Sequence, residues 1–205
     1  MTSLGEEARA DTRRLEAFSD GVFAIAITLL VLELRVPEHD PGQLWRKLVG
    51  EWPQFAAYLS SFFVIGIMWV NHHSMFKQIR RTDRSLLFLN LLLLLWTALL
   101  PFPTGLIART LGDGGTDAKV AEAVYGANLT LAAIAFSLIW TYAVRNRRLI
   151  DHDMTPQQER ASIARFSAGT LVYATTIGIA FVSPGLALAV QFALALYYLF
   201  EQLRS

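Results

Sequence analysis

Long apolar runs recur along the whole 205-residue chain, and this pattern restricts the possible folds more than any single motif. Hydrophobic residues make up 54% of the chain and charged residues only 17%. A helix needs roughly 20 mostly apolar residues to cross the hydrocarbon core of a bilayer. Runs of that length leave little chain for a soluble domain. The sequence therefore predicts an all-α integral membrane protein that is embedded in the lipid bilayer.

The apolar runs predict six transmembrane helices in one domain over residues 13–205, preceded by a polar N-terminal tail over residues 1–12. Pro53 suits the first turn of the second helix, and the Pro184-Gly185 pair favours a tight turn before the sixth. The predicted spans are Leu15–Leu34, Trp52–Phe76, Ser85–Ile107, Val120–Val144, Ile163–Val182 and Gly185–Phe200.

The basic residues fall mainly on one side of this topology. Of the 18 lysines and arginines, 13 lie on the side of the two termini: Arg9, Arg13, Arg14, Lys77, Arg80, Arg81, Arg84, Arg145, Arg147, Arg148, Arg160, Arg165 and Arg204. Because basic residues concentrate in cytoplasmic loops, both termini are predicted to be cytoplasmic, in a plasma-membrane protein. An odd number of spans would break this alternation, which favours six over five or seven.

Several function classes are disfavoured by composition. The formal net charge of +1 provides no basic field for nucleic acid. The chain has no cysteine, which excludes thiol and disulfide chemistry. We find neither a nucleophile–base pair nor a metal-ligand motif within a span. The sequence therefore predicts a protein that is not an enzyme and has no catalytic residue, cofactor or bound metal.

Polar residues occur at a similar depth in three of the predicted spans, near the cytoplasmic side. They are Ser19 and Asp20 in the first span, Asn71, His72 and His73 in the second, and Asn90 in the third. An unpaired polar group facing hydrocarbon costs several kcal/mol, whereas such groups can satisfy one another when they meet. We infer that the first three helices pack together through these side chains, with Arg14 near enough to reach Asp20.

Two other interpretations of the histidines remain. His72 and His73 also fit an ordinary position among the lipid headgroups. A shared metal ion is disfavoured, because adjacent helical positions point about 100° apart and metal-binding histidines on a helix usually sit four residues apart.

One face of the first span carries a regular stripe. Ile25, Thr28, Leu29 and Leu32 follow the i, i+3, i+4, i+7 spacing of a helix face. This spacing alone equally fits packing or lipid contact. The polar start of the same span favours a helix that has protein or water around it.

These residues resemble a known family. Arg14, Phe18, Ser19 and Asp20 form the pattern Arg-x-x-x-Phe-Ser-Asp, which resembles the signature of the transmembrane protein 175 family of endosomal and lysosomal potassium channels. Five residues of the next two spans are similar to the companions of that signature: Trp69, Asn71, His72, His73 and Asn90.

The resemblance implies a fold and a function. Bacterial members have one six-helix unit per chain and form homotetramers in which the first helix lines a central pore. The implied pore positions are Ile25, Leu29 and Leu32, with Thr28 as a polar ring, so that K⁺ passes near Thr28 and Ile25. The chain has no Thr-Val-Gly-Tyr-Gly filter, so other monovalent cations are expected to permeate with K⁺.

The resemblance also implies that the signature and its companion residues support the pore helix. It predicts a potassium-permeable channel that is gated by a hydrophobic constriction. A proton-coupled cation transporter remains the alternative, with Asp20, His72 and His73 as a proton relay.

Overall fold

The computed structural model describes residues 3–150 and 155–204, and helices account for most of them. The helices are α1 (Ser3–Leu29), α2 (Leu44–Gly50), α3 (Trp52–Phe76), α4 (Arg84–Leu99), α5 (Pro101–Thr110), α6 (Gly115–Arg145), α7 (Pro156–Val182) and α8 (Pro184–Arg204). Short 3₁₀ turns follow α1 at Leu30–Glu33 and α6 at Arg147–Leu149. The β structure in the described ranges is one isolated bridge between Ile79 and Ile150.

The predicted class is confirmed: the protein is an all-helical membrane protein with several apolar helices. Among the described residues, five stretches are long and apolar enough to cross a membrane: Thr12–Glu33, Trp52–Phe76, Arg84–Thr110, Gly115–Arg145 and Pro156–Val182. The apolar helix Pro184–Tyr197 is shorter, and a sixth crossing stays a prediction. The first helix extends back to Ser3, across most of the polar segment 1–12.

Two helix boundaries follow directly from local chemistry. Asp83 caps α4, because its carboxylate accepts a hydrogen bond from the Leu86 backbone N–H at 3.0 Å. The predicted third span was continuous, but the structure divides it into α4 and α5 around Leu100. Pro101 and Pro103 follow this break, and a proline lacks the N–H group that a continuous helix requires.

The helices form a bundle with two ends, which we name by their loops. The inner end holds residues 77–83 and 146–150, and the outer end holds residues 34–51 and 111–114. α1 packs against α3 and α4, while α6 packs against α4, α5 and α7. α8 closes the bundle against α7 and α3. This arrangement leaves α1 at an edge of the subunit, with one of its faces uncovered.

The inner loops are fastened to each other. The Arg80 backbone N–H donates to the Leu149 carbonyl at 2.6 Å, next to the Ile79–Ile150 bridge. Asp83 also accepts hydrogen bonds from Tyr142 Oη at 2.9 Å and Arg148 Nη2 at 3.4 Å. Partial desolvation opposes ionisation of Asp83, but the hydrogen bonds from Leu86, Tyr142 and Arg148 outweigh it. Together with the Arg148 charge, they lower the pKa of Asp83 from its ordinary value.

Candidate functional site

The predicted stripe on α1 lies on an exposed face of the helix bundle. Ile25 is 61% exposed and Leu32 is 71% exposed, and Thr28 and Leu29 are exposed between them. The Thr28 hydroxyl donates back to the Ala24 and Ile25 carbonyls, both at 2.9 Å. Its proton is thus used within the helix, and its oxygen lone pairs remain available on the exposed face.

The opposite face of α1 is buried against α3 and α4. Its buried residues recur at helical spacing: Leu15, Ser19, Phe23, Ala26 and Leu30. The helix therefore has one apolar face in the subunit core and one apolar face outside it. A helix that only anchored the chain in lipid would not need the polar residue Ser19 at the centre of its packed face.

Asn90 joins three helices through a directed chain of hydrogen bonds. Its Nδ2 donates to Ser19 Oγ on α1 at 2.9 Å, and its Oδ1 accepts from His72 Nε2 on α3 at 3.0 Å. Ser19 Oγ in turn donates to the Leu15 carbonyl at 2.9 Å. Ser19, His72 and Asn90 are all fully buried. Each of the three side chains forms a hydrogen bond with another, so burying them together costs less free energy than burying any of them without a partner.

Aromatic rings enclose His72. The Phe76 ring stacks on its imidazole at 4.3 Å between centroids, and the Phe23 ring lies at 5.4 Å. The second ring nitrogen, Nδ1, has no hydrogen-bond partner among the described residues. With Nε2 donating to Asn90, this is the environment of a neutral imidazole that serves packing and hydrogen bonding.

A second pair of contacts links α1 and α3 nearer the surface. Trp69 Nε1 donates to Asp20 Oδ1 at 2.9 Å, and His73 Nδ1 lies 3.3 Å from Glu16 Oε1. The Trp69 and His73 rings stack at 6.3 Å between centroids. Glu16 was not among the predicted site residues, although it lies four residues before Asp20, on the same side of the helix.

The remaining signature residues lie apart from these contacts. Arg14 and Phe18 are exposed, on the same side of α1 as the stripe. The Asp20 carboxylate accepts its hydrogen bond from Trp69, whereas the sequence predicted Arg14 as its partner. Asn71 is partly buried on α3.

The residues proposed for a proton relay have separate partners. Asp20 contacts Trp69, His72 contacts Asn90 and His73 contacts Glu16. Adjacent positions on a helix point about 100° apart, which directs His72 into the core and His73 toward the surface. A relay by direct hydrogen bonds between Asp20, His72 and His73 has no support in these contacts.

A polar cluster in the outer half of the bundle was missed by the sequence analysis. Ser61 Oγ lies 2.7 Å from Thr104 Oγ1 and donates to Tyr125 Oη at 3.0 Å. Glu122, one turn before Tyr125, is fully buried beside Gln191 of α8. The available signal was an acidic residue inside a predicted span, since such residues usually face the interior of a bundle.

The outer end of α1 also has polar anchors that the sequence analysis missed. Arg109 Nη2 forms an ion pair with Glu33 Oε2 at 3.1 Å, between α5 and the 3₁₀ turn. The buried Gln54 side chain bonds the backbone of Arg35, directly after that turn. These pairs join residues far apart in the chain, so spacing alone contains no sign of them.

The chain is similar to proteins of one channel family. Residues 14–101 match the family described as endosomal/lysosomal potassium channel TMEM175. A potassium channel of Streptomyces collinus is 49% identical over 193 residues, which cover 94% of this chain and 93% of that protein. The crystal structure of a lysosomal potassium-selective channel TMEM175 homolog from Chamaesiphon minutus matches with a TM-score of 0.82. It is 38% identical, over 94% of this chain and 98% of the other.

A vertebrate relative is similar over part of its length. The endosomal/lysosomal proton channel TMEM175 of Rattus norvegicus is 34% identical over 160 residues. The match covers 71% of this chain but 31% of the rat protein.

Proposed function

The chain belongs to the TMEM175 family, and on this premise we propose that it is a potassium-permeable cation channel rather than an enzyme. The observation that carries the proposal is the uncovered stripe on α1, opposite a buried polar anchor. The Streptomyces collinus relative is named a potassium channel, which supports K⁺ as the permeant ion. No cofactor is needed for passive flux down a gradient.

The channel is a homotetramer in which four copies of α1 surround a central pore. Ile25, Leu29 and Leu32 of each copy form apolar collars, and such a constriction blocks ions by dewetting when it is narrow. Opening widens the collars, and Thr28 lone pairs then replace part of the hydration shell of K⁺. Selectivity over other monovalent cations is modest, because the chain has no fixed cage of oxygens.

The contacts of α1 with α3 and α4 position this pore helix. The Ser19–Asn90–His72 chain and the Asp20–Trp69 bond fasten its inner part to α3 and α4. The first of these lies on the buried face opposite the stripe, and both hold the orientation of the pore helix. Arg14 and Phe18 complete the signature at the inner mouth.

The topology follows from the same proposal. The five long apolar stretches and the shorter helix Pro184–Tyr197 give six crossings. The inner end, with its many arginines, is cytoplasmic, as are both termini, and the protein lies in the plasma membrane.

Purified protein in liposomes tests the function. Under a K⁺ gradient without a pH gradient, we expect a current whose reversal potential shifts toward that of K⁺ when Na⁺ replaces K⁺ on one side. Flux that requires a proton gradient would instead indicate the coupled transporter. Absence of current from protein of tetrameric size would contradict the proposal.

Proton permeation is a second candidate, because the rat relative is named a proton channel. A pH-sensitive dye inside the same liposomes would measure it. Proton entry that persists after K⁺ is replaced by a large organic cation, and that changes direction with the pH gradient, would indicate protons as a second permeant ion, because a K⁺-coupled transporter needs K⁺.

A further inference from the structure

The outer end of α1 changes its helical form where the stripe ends. The α-helix ends at Leu29, and a 3₁₀ turn follows over Leu30–Glu33. Leu30 is fully buried, while Leu32, the last residue of the stripe, faces out. The position of Leu32 therefore depends on what holds this single turn, because a 3₁₀ turn has weaker internal hydrogen bonds than an α-helix.

Glu33 holds the turn against α5. Its side chain is mostly buried, and its Oε2 accepts from Arg109 Nη2 at 3.1 Å. The carboxylate lies directly over the backbone of Gly105, where a methyl group would collide with it. The Glu33–Arg109 ion pair therefore packs against the backbone of α5, unlike a pair on an open surface. This packing requires glycine at position 105.

Gln54 holds the chain immediately after the turn. Its side-chain Oε1 accepts from the Arg35 backbone N–H at 2.7 Å, and its Nε2 donates to the Arg35 carbonyl at 3.3 Å. Nε2 also donates to Glu51 Oε2 at 3.0 Å. The turn therefore lies between an anchor on α5 and an anchor on α3, both in its own subunit.

From these contacts we propose that Glu33, seated on Gly105 and paired with Arg109, is a positioning residue that sets the balance between open and closed pores. The inference rests on the proposed channel function. With both anchors formed, the outer end of α1 cannot tilt alone and moves as one body with α5. Weakening the Glu33–Arg109 ion pair lets Leu32 move independently of α5 and changes the open probability of the pore.

The contacts also predict what stays unchanged. The Glu33 carboxylate contacts Arg109 and Gly105, both on α5, rather than the exposed residues of the stripe. An open pore of a variant should therefore have the unit conductance and reversal potential of the parent. A purely structural role for the pair would lower the amount of folded tetramer without changing the open probability of the channels that remain.

Single-channel recording in planar bilayers tests the pair with a double-mutant cycle. Glu33→Gln and Arg109→Gln should each change open probability in the same direction, by about two- to five-fold, as expected for one partly exposed ion pair. The double variant should change it no further than either single one, because both remove the same interaction. Arg109→Lys, which keeps the charge, should restore most of the parent behaviour.

Matched controls lie at the same outer end of the bundle, Glu38 on the loop and Arg46 on α2. Glu38→Gln and Arg46→Gln make the same chemical changes outside this contact and should leave open probability at the parent value. Gly105→Ala is a second test of the same contact, because the added methyl group displaces the Glu33 carboxylate and leaves its charge unchanged. It should shift open probability in the direction of Glu33→Gln.

The outcomes separate this inference from the proposed function. A parent protein without current would contradict both. A conducting parent with unchanged open probability in Glu33→Gln and Arg109→Gln, or with additive effects in the double variant, would overturn only the positioning role. If Glu33→Gln does not fold, Arg109→Gln decides alone, because Arg109 is half-exposed and its loss leaves no cavity.

Discussion

Asn90 Nδ2 and Ser19 Oγ lie 2.9 Å apart although the two residues are 71 positions apart in the chain. This bond is the point where α1 and α4 meet, and His72 of α3 completes it from the other side. Ser19 of the Arg-x-x-x-Phe-Ser-Asp pattern thereby has a physical role: its small hydroxyl accepts a hydrogen bond from the asparagine amide that holds three helices together.

Replacing the two adjacent histidines should have unequal effects. His72→Ala removes a buried ring that stacks on Phe76 and leaves Asn90 Oδ1 without its donor, so we expect a loss of about 2–4 kcal/mol in stability. His73→Ala is the matched control, and it removes a half-exposed contact with Glu16 at a cost of at most about 1 kcal/mol. Thermal unfolding of both variants in detergent measures the difference. Equal losses would contradict the arrangement.

Polar substitution of the stripe should open a leak. Ile25→Asn places a hydrogen-bonding ring in the apolar collar, which favours water there, and we expect a higher closed-state conductance in planar bilayers. Leu171→Asn is the control, because Leu171 on α7 is 69% exposed, close to the 61% of Ile25. Its conductance should match that of the parent. A similar leak in both variants would mean that exposure, rather than a place in the pore, is responsible.

Neutralising Glu122 should not weaken the fold. The carboxylate is fully buried and has no well-formed hydrogen bond among the described residues, and a buried charge without a partner is costly. Glu122→Gln keeps the shape and cannot ionise, so we expect an equal or higher melting temperature in detergent. Glu122→Ala leaves a cavity and should lower it. A large loss in Glu122→Gln would show that the negative charge is needed, for example to hold a bound cation.

The inner clasp, meaning the contacts of Asp83 and the Ile79–Ile150 bridge that join the two inner loops, should weaken in acid. Hydrogen bonds from Leu86, Tyr142 and Arg148 lower the pKa of Asp83 in the folded protein against the opposing effect of desolvation. Its contribution to stability is therefore present above about pH 3.9, the pKa of an unfolded aspartate, and disappears as the pH falls through the lower folded value.

The variant Asp83→Asn keeps a helix cap but loses the charge opposite Arg148. We expect it to melt at a lower temperature than the parent at neutral pH and to converge with it in acid. Asp113→Asn on the outer loop is the control. A gap between Asp83→Asn and the parent that persists at low pH would contradict the assignment.

Much of the fold was accessible from hydrophobic pattern and local chemistry. The bounds predicted for the second span coincide with α3, because a long apolar run and Pro53 mark its start and polar residues mark its end. The division of the third span at Leu100 was missed, although Pro101 and Pro103 contained the signal.

The site was only partly accessible. The depth of each residue along its predicted span placed Ser19, His72 and Asn90 at a similar level in the membrane. In the structure, hydrogen bonds connect the three side chains. The partners of Glu16 and Glu33 lie on helices distant in sequence, and a single chain has no spacing that reports such pairs. The same holds for the partner of Glu122, because Gln191 belongs to α8.

The bridge between Ile79 and Ile150 has a consequence for how a subunit is built. Ribosomal synthesis delivers Ile79 well before Ile150, with α4, α5 and α6 in between. The clasp can close only once those three helices have entered the bilayer and turned back. It is therefore a late event in biogenesis, and a nascent chain that is released before Ile150 emerges lacks the join between its two inner loops.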